Sequence, residues 1–161
     1  MIVAINTIAG IAGTVFAGWF SDTVFRGDRK YPAFVAGILE SIALVLFLYG
    51  GDSWFVNILA MALFGIAIGV LICFVGGLMA VDLVPRKATG ATLGIVGLAS
   101  YIAAGLMNII SGWLIDGNAV TDPVTGEIQY DFTYVSIFWV GAAVIAFLLP
   151  VLNWKRKKME I

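Results

Sequence analysis

Histidine is absent from this 161-residue chain and cysteine occurs once, at Cys73. The usual transition-metal sites are built from clusters of those two side chains, so the composition argues against a metal centre, and a lone cysteine forms no disulfide framework. Charge is scarce as well: 12% of the residues are Asp, Glu, Lys or Arg, 61% are hydrophobic, and the mean hydropathy is +1.04. Too little polar surface remains to cover a water-soluble globule of this size. No nucleophile stands beside a base and no carboxylates pair within a plausible site, so the chain is not expected to be an enzyme. Neither a cofactor nor a nucleic-acid partner is expected. The partner that composition itself demands is a lipid bilayer.

What charge there is lies in a pattern. All nine basic residues fall in three clusters: Arg26, Arg29 and Lys30; Arg86 and Lys87; and Lys155, Arg156, Lys157 and Lys158. Before and between them run five long apolar segments, at about 2–21, 32–50, 54–81, 88–115 and 133–152. A bilayer core about 30 Å thick requires roughly 20 helical residues, a length these segments reach or nearly reach. If each crosses once, the clusters follow the first, third and fifth crossings and share one side. The connections around Asp52 and from Asp116 to Asp131 carry acids and no Lys or Arg. This is the positive-inside pattern, and it places the C-terminus in the cytoplasm. Aromatic residues near the segment ends, among them Trp19, Trp54 and Trp113, fit interfacial belts. Pro32 suits the first turn of a helix, Pro85 interrupts the Asp82 to Lys87 turn, and Asp122-Pro123 with Thr125-Gly126 mark a turn in the longest loop. The apolar residues directly after Met1 are read as a chain that starts within or at the edge of a helix, hence as a fragment of a longer protein.

The most specific local pattern is Gly18-Trp19-Phe20-Ser21-Asp22-Thr23-Val24-Phe25-Arg26-Gly27-Asp28-Arg29-Lys30. It resembles the Gly-x-x-x-Asp-x-x-x-x-Gly-x-Arg turn of the major facilitator superfamily. With Phe25-Arg26-Gly27-Asp28-Arg29 intact it is similar, more narrowly, to the organophosphate:phosphate antiporters, which carry glycerol phosphate or hexose phosphates. Asp82-Leu83-Val84-Pro85-Arg86-Lys87-Ala88-Thr89-Gly90 is similar to that family's turn between helices ten and eleven. The resemblance implies an all-α, polytopic helical bundle in which residues 1–161 form a partial C-terminal domain, helices eight to twelve of twelve. It further implies that the N-terminal half of the transporter is a missing partner. Gly18, Asp22, Arg26, Gly27, Asp28, Arg29, Asp82, Arg86 and Lys87 would then form a cytoplasmic gate. In it Arg26 and Arg29 would pair with Asp22, Asp28 or Asp82 when the gate is closed, and Asp22 would face the start of the fourth segment near Ala88. The plainer reading leaves these charges as solvated topology determinants.

Two further features lie at membrane depth. Glu40 is near the middle of the second segment, where an ionised acid costs about 2.5 to 3.5 kcal/mol on insertion scales. No Lys or Arg lies within any segment, so its compensation is a neutral polar group, a proton or a residue elsewhere. Its role is open between a proton-coupling site, a cavity acceptor and a structural carboxyl; the anion exchange that the resemblance implies favours the last. In the fourth segment Tyr101, Asn108 and Ser111 recur at helical spacing with Gly105 and Gly112 nearby, a small polar face that either lines a pathway or bonds to a neighbouring helix. Glycines at 65 and 69, and at 90 and 94, have the spacing of close helix packing. The phosphate-binding arginines of the resembled family come from helices one and seven, so none is assigned here. Two departures weaken any substrate choice. Ile68-Gly69-Val70-Leu71 stands where an aromatic-Gly-Pro element is common, and the helix-eleven Asp and Lys of hexose-phosphate carriers are absent. The expected activity is exchange of an organophosphate for inorganic phosphate in a bacterial inner membrane, with a sugar-phosphate sensor of the same fold as the alternative.

Overall fold

The computed structural model describes residues 2–25, 29–82, 84–123 and 125–152. Helix α1 runs Ile2–Val24, α2 Lys30–Tyr49, α3 Trp54–Cys73, α4 Met79–Asp82, α5 Thr89–Gly117 and α6 Thr133–Leu152. A π-turn, Phe74–Leu78, joins α3 to α4 without a break, and a 3₁₀ turn, Arg86–Ala88, leads into α5. Ala4–Val24, Lys30–Tyr49, Trp54–Leu78 and Arg86–Gly117 are each long and apolar enough to cross a membrane, and α6 adds a shorter apolar stretch over Thr133–Leu148. The expected 2–21 and 88–115 segments thus extend at their ends, the first to Val24 and the fourth to Gly117.

Packing follows membrane rather than aqueous logic. Large apolar side chains such as Ile11, Phe16, Trp19, Ile95 and Trp113 point outward, while the buried positions are mostly small: Ala17, Ala36, Ala43, Ala60 and Ala67. In lipid, expelling water gives no drive for helices to associate, so contact depends on close backbone approach, which small residues permit. The α1–α3 pair is the tightest example. A Cβ on Gly65 would run into the Asn6 carbonyl oxygen, and one on Gly69 into that of Gly10, while one on Gly13 would lie 2.5 Å from the Ile66 oxygen. Thr14 Oγ1 donates both to Gly10 O in its own helix, at 3.0 Å, and across to Gly69 O, at 3.2 Å. The α2–α6 pair repeats the device: a Cβ on Gly37 would lie 2.5 Å from Phe147 Cβ, and the Phe34 and Phe147 rings meet edge to face at 5.7 Å. By contrast, a Cβ on Gly90 or Gly94 would meet nothing within 4 Å among the described residues. Equal spacing in sequence marks both glycine pairs; only one is used among the described residues.

The connections are short or locally ordered. After α2 the backbone N–H of Gly50 donates to Leu46 O at 2.8 Å, and Gly51 takes φ +77°, the left-handed conformation that reverses the chain toward α3. The loop after α5, read from sequence as a turn, is a β-hairpin: β1, Ala119–Thr121, pairs antiparallel with β2, Ile128–Tyr130, with Val120 opposite Gln129. Gly126 N and Asp122 N close its turn on Asp122 O and Glu127 O, both at 2.9 Å, and Gly126 has φ +72°. The short β-branched runs were too brief to stand out against the turn residues between them. Asp131 Oδ1 accepts from the Thr133 backbone N–H at 2.9 Å, covering an open donor at the start of α6. A hydrogen bond from the Thr133 side chain, with the backbone one second, holds the Asp131 carboxyl below its ordinary value.

Candidate functional site

The two basic turns meet. Arg29 stands immediately before α2, where its carbonyl accepts from Ala33 N at 3.2 Å, and Pro32 fills a first-turn position that needs no N–H. Asp82 ends α4, at the close of the long α3–π–α4 run. Arg29 Nη1 lies 3.2 Å from Asp82 Oδ2. The approach is that of an ion pair without an aligned hydrogen bond, since Nε and Nη1 have no hydrogen-bond acceptor among the described residues. Both side chains are partly covered, 20% exposed for Arg29 and 34% for Asp82, so the pair is shielded from solvent only in part. Phe25 stacks on Tyr31 at 6.2 Å and meets Phe20 edge to face at 5.5 Å, tying the end of α1 to the start of α2 beside this pair.

The other turn residues fall around it. Ser21 is fully buried, continuing the inward stripe Gly13, Ala17, and its Oγ has no hydrogen-bond partner among the described residues. Asp22 follows it, rotated by about 100° along the helix, and is exposed with no ion pair among the described residues. Gly18 has open space beside it. Arg86 and Lys87 are exposed on the 3₁₀ turn before α5. Arg26, Gly27 and Asp28 lie outside the described residues.

The membrane-depth candidates divide into two places. Tyr101, 82% exposed, and Asn108 lie on an open face of α5. Seven residues apart, they are nearly eclipsed on a helix of 3.6 residues per turn. Ser111 is three residues further, which turns it toward α6, where Trp139 Nε1 donates to its Oγ at 2.8 Å; Ser111 is buried and Trp139 half-buried. Glu40 faces a groove of about 530 Å³ between α2, α3, α5 and α6, and Trp139 lines that same groove. Ser111 is thus bonded to a groove-lining residue, Trp139, which the sequence pattern did not single out. Its signal was weak: one tryptophan away from the segment ends, where interfacial tryptophans collect. Among the described residues no cluster of three or more His, Cys, Asp or Glu could hold a metal ion.

Comparison with known proteins covers nearly the whole chain. Residues 1–159 match the family model described as Major Facilitator Superfamily. The glycerol-3-phosphate transporter of Bacillus subtilis (strain 168) is 31% identical over 157 residues, covering 93% of this chain and 31% of the relative. A probable hexose phosphate transport protein of Chlamydia trachomatis is 26% identical over 99% of this chain and 32% of its own length. The membrane sensor protein UhpC of Salmonella typhimurium is 29% identical over 94% of this chain and 32% of its length. The chain therefore spans about a third of the length of these curated relatives. No solved structure matches it.

Proposed function

Since this chain belongs to the major facilitator superfamily, a family of membrane transporters and not of enzymes, we propose that it is the C-terminal part, helices eight to twelve, of a transporter that exchanges an organophosphate for inorganic phosphate. The observation that carries the substrate class is the match of 93% of the chain to a protein named as a glycerol-3-phosphate transporter. Hexose phosphate relatives of similar extent widen the class to small phosphate esters. The solute site and its cationic groups then belong to the helices outside this chain, because no Lys or Arg lies at membrane depth within it. The membrane is the bacterial inner membrane, with the basic turns and the C-terminus in the cytoplasm.

In this reading the two halves rock about a midplane site, and the turns at Gly18 to Lys30 and Asp82 to Lys87 close the cytoplasmic mouth. The Arg29–Asp82 pair is the latch. It joins the α1–α2 connection to the end of the α3–π–α4 run, so opening the mouth separates two charges now 3.2 Å apart. Counterflow tests the function: the complete transporter in phosphate-loaded proteoliposomes, with labelled phosphate moving against glycerol phosphate or a hexose phosphate. Saturable exchange with any of them supports the antiporter. The sensor relative gives the second reading. Saturable sugar-phosphate binding with no exchange would select it.

A further inference from the structure

The hairpin between α5 and α6 has an apolar face that the described residues leave open. In strands, successive side chains point to opposite faces. The register, Ala119 opposite Tyr130, Val120 opposite Gln129 and Thr121 opposite Ile128, therefore puts Ala119, Thr121, Ile128 and Tyr130 on one face. The other face carries Val120 and Gln129, and the bond from Asp122 N to Glu127 O extends the pairing by one step, which adds those two acids to it. One face is thus apolar but for two hydroxyls, and the other polar but for Val120. Yet Ile128 is 55% exposed and Tyr130 50%, and the strands pack mainly on one another. A lone two-stranded hairpin is marginally stable in water, so it needs a surface under one face.

The ends of the hairpin point to that surface. β1 starts at Ala119, just after α5 closes at Gly117, and β2 stops at Tyr130, just before α6 opens at Thr133. Both strands are therefore held at the level where two apolar helices leave the lipid. Exposed Trp113, Phe132 and Tyr134 stand at those helix ends, aromatic side chains of the kind that collects in the headgroup region. Along the hairpin the same belt continues in Ile128 and in Tyr130, whose apolar ring and hydroxyl suit a boundary wet on one side. A second copy adding a strand to the open edge would pair backbone groups and leave this face uncovered.

We propose that the hairpin lies flat on the bilayer, with Ile128 and Tyr130 sunk into the boundary between phospholipid headgroups and acyl chains and Glu127 and Gln129 turned to water. So placed, it ties the ends of α5 and α6 to one depth in the membrane. The inference goes beyond the transport reading and holds whichever solute is carried.

The test is a nitroxide scan in the complete transporter, reconstituted in phosphatidylcholine nanodiscs on a cysteine-free background that includes Cys73→Ser. Glu127, Ile128, Gln129 and Tyr130 are replaced singly by Cys and labelled. Collisions with oxygen, which partitions into lipid, are compared with those of a water-soluble nickel chelate. The expected result is an alternation, with the ratio of oxygen to nickel accessibility several-fold higher for Ile128→Cys and Tyr130→Cys than for Glu127→Cys and Gln129→Cys. Nickel access at every site would mean a hairpin standing in water, and shielding of Ile128→Cys and Tyr130→Cys from both reagents would mean a face covered by protein. Either overturns the proposal. Since a label could itself unfold so small a hairpin, Tyr130→Trp gives a second reading without one. Its fluorescence, taken as the difference from wild type, is expected to be quenched more by phosphatidylcholine brominated near the top of the acyl chain than by lipid brominated near the chain end. The opposite order, or no quenching of the difference signal, would overturn the proposal as well.

Discussion

At the scale of single residues, partial exposure decides what the Arg29–Asp82 pair can do. Pairs of this kind contribute about 0–1 kcal/mol to stability, since solvent screens them and ordering two side chains costs entropy. Removing it should barely move the melting temperature, yet the same energy placed on an open–closed equilibrium shifts populations by up to about fivefold. Asp82→Asn is therefore expected to lower exchange severalfold with normal expression, and Asp22→Asn to lower it less, because Asp22 is exposed and unpaired among the described residues. Partial rescue by the exchanged pair Arg29→Asp with Asp82→Arg would identify the charge contact as the cause. Equal rates for Asp82→Asn and wild type would remove the latch. Asp131 supplies a pH dependence of defined sign. Its folded-state carboxyl titrates below the ordinary value of 3.8, so its contribution to the start of α6 is present above that value and is lost as pH falls through the lower folded one. The Thr133 amide resonance should follow that titration in the native chain and be flat in Asp131→Asn.

At the scale of elements, the α1–α3 contact and the π-turn make opposite demands on glycine. Gly65 and Gly69 have backbone oxygens where a Cβ would go, so Gly69→Ala should destabilise by about 1–3 kcal/mol, the usual cost of overpacking. Gly94→Ala, in open space within α5, should gain up to about 1 kcal/mol from helix propensity in the isolated chain. Thermal unfolding in detergent checks both signs. The π-turn lies between two fixed points: above it α3 is locked to α1 through Thr14 and Gly69, and below it Asp82 is held by Arg29. Within it Phe74 is fully buried, while a Cβ on Gly76 or Gly77 would meet nothing within 4 Å among the described residues. That is the construction of a hinge, and π-turns often sit at such places. Replacing both glycines with Ala favours regular helix by about 1–2 kcal/mol in total. If the end of the helix must bend for each opening, exchange should fall by about tenfold while substrate binding to the closed state stays unchanged. Unchanged exchange in the double variant would show that the turn is rigid during transport.

For the whole molecule, what was legible in the sequence was the large-scale order. Apolar length and the placement of basic residues located the helices to within a few residues, and the Gly18 to Lys30 and Asp82 to Lys87 patterns pointed to the family. What stayed hidden depends on rotation and neighbours. Tyr101 and Asn108 share a face with one another but not with Ser111, because three further residues turn the helix toward α6 and Trp139. The π-turn adds one residue to a turn, which apolar patterning over Phe74–Leu78 does not register. The use of Gly65 and Gly69, and not of Gly90 and Gly94, depends on which helix lies opposite. Orientation is the property that can be tested across all elements at once. The Arg29–Asp82 contact fixes the α1–α2 and α4–α5 turns at one end of the bundle, and antiparallel succession puts Gly50–Ser53 and the hairpin at the other. In the orientation proposed above from positive-inside bias, the first end faces the cytoplasm. With Cys73→Ser as background, Ser53→Cys and Thr125→Cys should therefore react with a membrane-impermeant maleimide added to intact spheroplasts. Lys87→Cys should react only after the membrane is opened. Labelling in the reverse order would invert the topology and put the latch on the outer face, where it could not close a cytoplasmic gate.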